Sequence, residues 1–234
     1  MRDTVLYRVL KRILPRPIKS VLRAFLRRFR FRAALRAVMA LPAGTVPGPA
    51  LLTELSVGWG NEGYSADPAF LYEALRRVSR GEGPVLECGS GLSTILMGVM
   101  GMRSGVEVWA LEHEARWVAR VQAVLDRHRI RGVHLVLAPL KDFGEFGWYD
   151  APWGRMPGGF RLIVCDGPPE TTSGGRYGVV PLGKSRFAPG AVLLVHDANT
   201  KTGGVVVDRW RREHGAVAHL EGANARAYGV LTIG

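Results

Sequence analysis

The sequence predicts an α/β protein: a mostly parallel sheet of seven strands with helices on both faces, closed by an antiparallel C-terminal hairpin and preceded by a basic helical tail. Three observations predict it. From Pro84 onward, short Val/Ile/Leu-rich runs alternate with stretches of helical periodicity, which is the pattern of repeated strand–helix units. Those runs are continuously apolar, so the strands are buried on both faces, as in a parallel sheet. The last two runs, 216–220 and 225–233, lie close enough in sequence to fold back on each other at the sheet edge.

In chain order the first element is the tail. Of 32 Lys and Arg, twelve fall in residues 1–41 beside a single acid, Asp3, which leaves twenty basic and nineteen acidic residues for 42–234. The net charge of +12 therefore belongs to the tail, and the body is nearly neutral. Within 18–39, Ile18, Val21, Leu22, Phe25, Phe29 and Leu35 recur at helical spacing with Arg23, Arg27, Arg28, Arg30 and Arg36 between them, which predicts a basic amphipathic helix. Such a helix can lie on an anionic membrane, contact nucleic acid, or pack on the body or a second subunit. The Pro- and Gly-rich stretch 42–50 reads as a linker, dividing the chain into a tail (1–41) and a catalytic-size domain (51–234).

In the body, Asp67 and Pro68 cap a helix carrying Phe70, Leu71, Ala74, Leu75 and Val78. Strands follow at 84–88, 106–111, 133–137, 161–165 and 191–195, with helices over 92–102, 115–128 and 203–214. The 47% apolar content supplies one sizeable core. No run approaches the ~20 uncharged apolar residues of a membrane span, and charges interrupt the place where a signal-peptide core would lie. Two cysteines, Cys88 and Cys165, sit inside apolar runs and exclude a disulfide framework. These features predict a cytoplasmic protein, with the tail able to hold it at a membrane surface.

In such sheets ligands bind outside the carboxyl ends of the strands. After the first strand stands Glu87-Cys88-Gly89-Ser90-Gly91-Leu92-Ser93-Thr94, where glycines allow a tight turn and a helix N-terminus offers free N–H groups. Glu112, twenty-one residues past Gly91, ends the second strand at the spacing of an acid that accepts from ribose hydroxyls. A nicotinamide fingerprint would place a third glycine at 94, where this chain has Thr94.

Four segments in order, 85–94, 109–114 with Trp117, 163–169 and 190–197, resemble class I S-adenosylmethionine-dependent methyltransferases, in a bacterial branch with largely unassigned substrates. The resemblance covers 51–234 and implies a Rossmann-like fold. It implies that Glu87, Gly89, Ser90, Gly91 and Ser93 border the methionine part of S-adenosyl-L-methionine, that Glu112 binds ribose, and that His113 and Leu140 lie at the adenine. Asp166 faces both cofactor and acceptor in this reading. Asp166-Gly167-Pro168-Pro169 differs from the signature of adenine-amino methyltransferases, because Gly167 intervenes and Glu170 replaces the stacking aromatic.

Asp166, His196 and Asp197 form the expected catalytic set. Three readings of it stay open: Mg2+ held by Asp166, Asp197 and Asn199, as in divalent-metal O-methyltransferases; proton abstraction by His196; or a structural role. Trp59, Tyr64, Trp148 and Tyr177 lie in Gly-bearing or aromatic segments able to cover a substrate. The aromatic stretch 143–159 either does that or packs on the sheet in place of a helix. The expected function is methyl transfer to a small-molecule acceptor, on oxygen. The alternatives are an RNA methyltransferase, which a body of net +1 disfavours, and an inactive membrane-associated or scaffolding protein with this fold.

Overall fold

The computed structural model describes residues 15–61, 66–221 and 227–233. Three helices come first, α1 (Arg16–Ala40), α2 (Pro49–Trp59) and α3 (Pro68–Ser79). Then come β1 (Val85–Cys88), α4 (Leu92–Ser104), β2 (Val108–Glu112), α5 (Ala115–His128) and β3 (Val133–Leu137). A hairpin of β4 (Leu140–Asp142) and β5 (Gly147–Tyr149) leads to β6 (Phe160–Cys165). A short α6 (Val179–Gly183), β7 (Phe187–Val195), α7 (Lys201–His214), β8 (Val217–Glu221) and β9 (Tyr228–Ile233) follow.

Among the described residues, seven strands form one sheet in the order β3-β2-β1-β6-β7-β9-β8. The first five are parallel, and β9 runs antiparallel between β7 and β8. This is the predicted fold, with β8 at the edge. The strand order reverses between β1 and β6, and Cys88 is level with Leu111 on one side and Cys165 on the other. The loops after β1, β2 and β6 therefore leave the sheet at one height, where a crevice opens.

Local sequence explains the helix ends that matter for the site. Asp67 accepts from the Ala69 N–H at 2.8 Å with Pro68 at the first helical position, as read from the sequence. Thr200 caps α7 by accepting from the Gly203 N–H at 3.0 Å. Two apolar layers sandwich the sheet. One is formed by α1 to α5, with Leu35, Leu52, Phe70, Leu75 and Ile95 fully buried. The other is thinner, built from Trp148, Phe160, Tyr177 and Trp210 of the hairpin, β6, the segment before α6, and α7. The aromatic stretch thus packs on the sheet where a helix was missing.

The tail boundary at 41 is corrected. Phe31, Ala34, Leu35 and Val38 are buried against the body, Arg30 pairs with Glu54 of α2 at 2.6 Å, and Arg103 donates to the Met39 carbonyl. The second half of α1 is therefore part of the domain. The helix α2 also begins inside the stretch read as a linker, because Pro49 is a helix starter as readily as a breaker. No helix among the described residues is long and apolar enough to cross a membrane.

Candidate active site

The turn after β1 is fixed by a buried polar chain. The Gly91 N–H donates to Thr94 Oγ1 at 2.8 Å, Thr94 Oγ1 donates to Glu87 Oε2 at 2.6 Å, and Ser93 Oγ donates to Glu87 Oε1 at 2.5 Å. Glu87 is fully buried, and burial pushes its carboxyl up to about 8 although both hydroxyls favour the charged form. It is therefore a clamp beneath the turn and does not face the crevice, which corrects its expected contact with the cofactor.

The two glycines of the turn differ. Gly89 has φ +92°, and a Cβ there would come within 3.0 Å of the Gly167 nitrogen. Gly91 has extended backbone, and a Cβ on it would meet nothing nearer than Trp117 Nε1 at 4.0 Å. It thus faces open space. That space is a cavity of about 40 Å³ bordered by the 89–93 turn, Trp59, Asn61, Ala66, Leu71, Trp117 and Asp166. Its volume is far below the several hundred Å³ that a nucleoside cofactor fills, so by itself it would hold only part of such a ligand.

At the end of β2, Glu112 is buried and saturated. Oε2 accepts from the Ser90 N–H and hydroxyl at 3.2 and 3.0 Å, and Oε1 from the His113 and Glu114 N–H groups at 2.7 and 2.9 Å. A carboxylate offers about four lone-pair positions. A ribose hydroxyl reaching this acid would compete with Ser90 Oγ for Oε2. The His113 ring stands beside Tyr149, centroids 6.2 Å apart, and half-exposed Leu140 pairs with Tyr149 across the hairpin. Both expected adenine neighbours thus stand against Tyr149.

Beyond β6 and β7, the structure brings Asp166, His196 and Asp197 together and adds a residue the sequence reading missed, Arg176. His196 Nδ1 is 3.0 Å from Asp166 Oδ1 and 2.9 Å from Asp197 Oδ2, although neither oxygen lies along the ring N–H direction. Arg176 Nη2 is 3.3 Å from the same two oxygens, and the guanidinium also donates to the His196 carbonyl. Burial alone would depress the imidazole, but the two carboxylates outweigh it and hold it up, to about 9. The Asp67 N–H, 3.3 Å from Nε2, favours the neutral ring. One long amide contact opposes two close charges, whose pull on the ring proton is the larger. His196 in turn holds Asp197 below the usual carboxylate range, with help from Arg176.

These contacts bear on each of the open readings. His196 is closed in by Asp67, Phe70 and the two carboxylates, and does not border the cavity. Asp166 does. The ligand atoms of Asp166, His196 and Asp197 lie within 4.8 Å of one another, a spacing a metal could span. Arg176 already supplies the positive charge between the carboxylates, and Asn199 is exposed in the turn before α7. The set does not fit Mg2+, which prefers hard oxygen ligands.

The expected covering residues separate. Trp59 borders the cavity, packs edge-on to Trp117 at 5.8 Å and lies under Arg120. Tyr64 lies outside the described residues. Trp148 and Tyr177 are corrected. Trp148 is fully buried beneath Gly178, and the Tyr177 hydroxyl donates to Glu213 of α7. In each case the adjacent residue reaches the loop after β6. Tyr149 presents a buried hydroxyl with no hydrogen-bond partner beside Gly167, and Arg176 holds Asp166. Period-two alternation explains the first: one position along a strand changes the face.

A glycine turn locked at the strand-order reversal, an acid at the next strand end and a cluster of two aspartates, a histidine and an arginine beyond β6 and β7 define an α/β protein with its polar side chains gathered at the carboxyl ends of the strands. No family model matches the sequence, and no curated protein does. Solved structures match in fold. A putative caffeoyl-CoA O-methyltransferase from Staphylococcus aureus has a TM-score of 0.59 at 10% identity, over 80% of this chain and 93% of that one. An O-methyltransferase from Bacillus cereus in complex with SAH has 0.56 at 14%, over 86% and 91%. A tRNA methyltransferase from Aquifex aeolicus has 0.51 at 16%, over 83% and 82%. The chain has the class I S-adenosylmethionine-dependent methyltransferase fold.

Proposed function

We propose that the chain transfers a methyl group from S-adenosylmethionine to an oxygen of a small-molecule acceptor. The observation that carries this is Asp166, whose carboxylate borders the same cavity as the 89–93 turn while Arg176 and His196 hold its other side. The residues fit the cofactor: Gly91 leaves space for it, and Glu112 can take its ribose once Ser90 Oγ moves aside. When bound, S-adenosylmethionine supplies an electrophilic methyl on a sulfonium. The chain's task is then to align a nucleophile and take its proton. Asp166 is the group placed to accept from an acceptor hydroxyl. His196 and Arg176 hold its carboxylate from the other side, which makes them positioning residues.

No Lys or Arg borders the cavity among the described residues, which favours a small acceptor over RNA. The buried free thiols Cys88 and Cys165 fit a reducing compartment, the cytoplasm. Labelled methyl transfer from S-adenosylmethionine to a panel of hydroxylated small molecules tests the proposal. Turnover that survives EDTA and is lost in Asp166→Asn supports it. Transfer to RNA alone, or cofactor binding with no turnover on either class, contradicts it.

A further inference from the structure

The helix α1 carries two apolar faces, and only one is used. Phe31, Ala34, Leu35 and Val38 enter the core, whereas Ile18, Val21, Phe25 and Phe29 are 49%, 69%, 64% and 63% exposed. At about 100° per residue these four fall within an arc of roughly 80° on the side away from the buried set. Isolated exposed apolar residues are ordinary, but four in one stripe on one helix mark a contact surface. Arg30 and Glu54 pin the helix to the body just after the stripe, so the stripe is presented in a fixed direction.

The charge around the stripe selects the partner. Residues 16–40 hold eight Lys and Arg and no acid. By the same angular count, Arg28, Arg32 and Arg36 flank or continue the stripe. Beside it, a groove of about 780 Å³ separates α1 from α5, lined by Arg23, Arg27, Arg28 and Arg32 on one side and Arg120 and Arg127 on the other, with no acid on its walls among the described residues. Burial and then Arg127, Arg36 and Arg32 depress His128 at the same groove, so the positive potential acts on a neighbouring group. A second copy would bring the same cations against these, which opposes self-association through this face. RNA would satisfy the arginines but offers nothing to Ile18 and Val21. An anionic bilayer satisfies both, taking the apolar side chains at its acyl boundary and the guanidinium groups at its phosphates.

We propose that α1 is a membrane-docking helix that seats the protein on a bilayer containing anionic phospholipid, with Ile18, Val21, Phe25 and Phe29 inserted and the surrounding arginines on lipid phosphates. The surface is independent of the reaction assigned to the crevice. Co-sedimentation of the full chain with vesicles of phosphatidylcholine, with and without roughly one-third phosphatidylglycerol, tests it. The expected result is binding to the mixed vesicles only, weakened by raising salt from about 0.1 M to about 0.5 M. Replacing Phe25 and Phe29 together with Ser should weaken binding by at least about tenfold while leaving the melting temperature unchanged, since both rings are exposed. Arg28→Gln with Arg32→Gln should weaken it by a similar factor.

Three results would overturn the proposal. One is wild-type protein left in the supernatant of the mixed vesicles, or bound equally to both kinds. Another is a dimer in analytical ultracentrifugation that the Phe25/Phe29 double variant dissociates. The third is vesicle binding unaffected by that variant, with the arginine pair needed instead to hold a single-stranded RNA oligonucleotide.

Discussion

The two sides of the crevice hold their acids by opposite means. On the β1–β2 side, Glu87 and Glu112 are satisfied by neutral donors: the hydroxyls of Ser93, Thr94 and Ser90, and the amides of 113 and 114. On the β6–β7 side, Asp166 and Asp197 are held by cations, Arg176 and His196. Burial without a counter-charge raises Glu87, while counter-charge lowers Asp197. The first arrangement is a frame that keeps its shape whatever the charge of the ligand. The second sets one carboxylate, Asp166, at the cavity wall with Arg176 and His196 behind it.

If this division is right, variants on the two sides should fail differently. The largest effect is expected on the charged side. Arg176→Ala or Asp166→Ala should lower turnover by about 10²–10³ while cofactor affinity stays within about twofold. A parallel loss of affinity would mean that the cluster also holds the cofactor, and the division would fall. On the neutral side the effect should lie in binding. Gly91→Ala should leave the melting temperature unchanged and weaken the cofactor by about tenfold or more, because the added methyl enters open space. Gly89→Ala should destabilise the fold itself, since its φ is +92° and its Cβ would press on the Gly167 backbone.

The pH dependence of stability separates the sides further. His196, raised to about 9, contributes stability that is whole below about 6.5 and disappears as pH rises through about 9. Glu87, raised to about 8, is a group whose burial grows costly between about 4.5 and about 8, so stability falls with rising pH there too. The melting temperature should therefore decline from pH 6.5 to 9. His196→Gln should flatten the upper part of that decline and Glu87→Gln the lower part, a split that scans at several pH values would show. A smaller effect is expected at Tyr149. Its hydroxyl is buried without a partner, so Tyr149→Phe should hold or raise stability by about 1 kcal/mol. The same change should weaken binding a few-fold if the hydroxyl meets a ligand.

The fold was legible because its signals are chain-local. Continuous apolar runs marked the parallel strands, and Asp67-Pro68 marked the start of α3. The turn after β1 and Glu112 were legible for the same reason, as each is defined by its distance from a strand end. What escaped depends on side-chain direction and on distant packing. Trp148 and Tyr177 carry the rings that the sequence offers as covers, yet it is their neighbours Tyr149 and Arg176 that reach the loop after β6, and for Tyr149 one residue of phase along the strand decides that. Arg176 lies ten residues beyond Asp166 in an irregular segment where no periodicity announces its direction. The role of Glu87 turned on two hydroxyls, at Ser93 and Thr94, that only the folded turn brings onto it. Packing on the body was one of the fates the sequence left open for the tail helix, and Phe31, Leu35 and Val38 take it, but the density of charge hid where that face begins and so misplaced the boundary at 41.

The central claim is that the 89–93 turn and Glu112 bind the cofactor of a methyltransferase, and titration calorimetry tests it most directly. Wild-type protein should bind S-adenosylhomocysteine, and Glu112→Ala should bind it about 10- to 100-fold more weakly, as expected for lost hydrogen bonds to a charged group. Tight binding of NADH with none of S-adenosylhomocysteine, or full affinity in Glu112→Ala, would contradict the account.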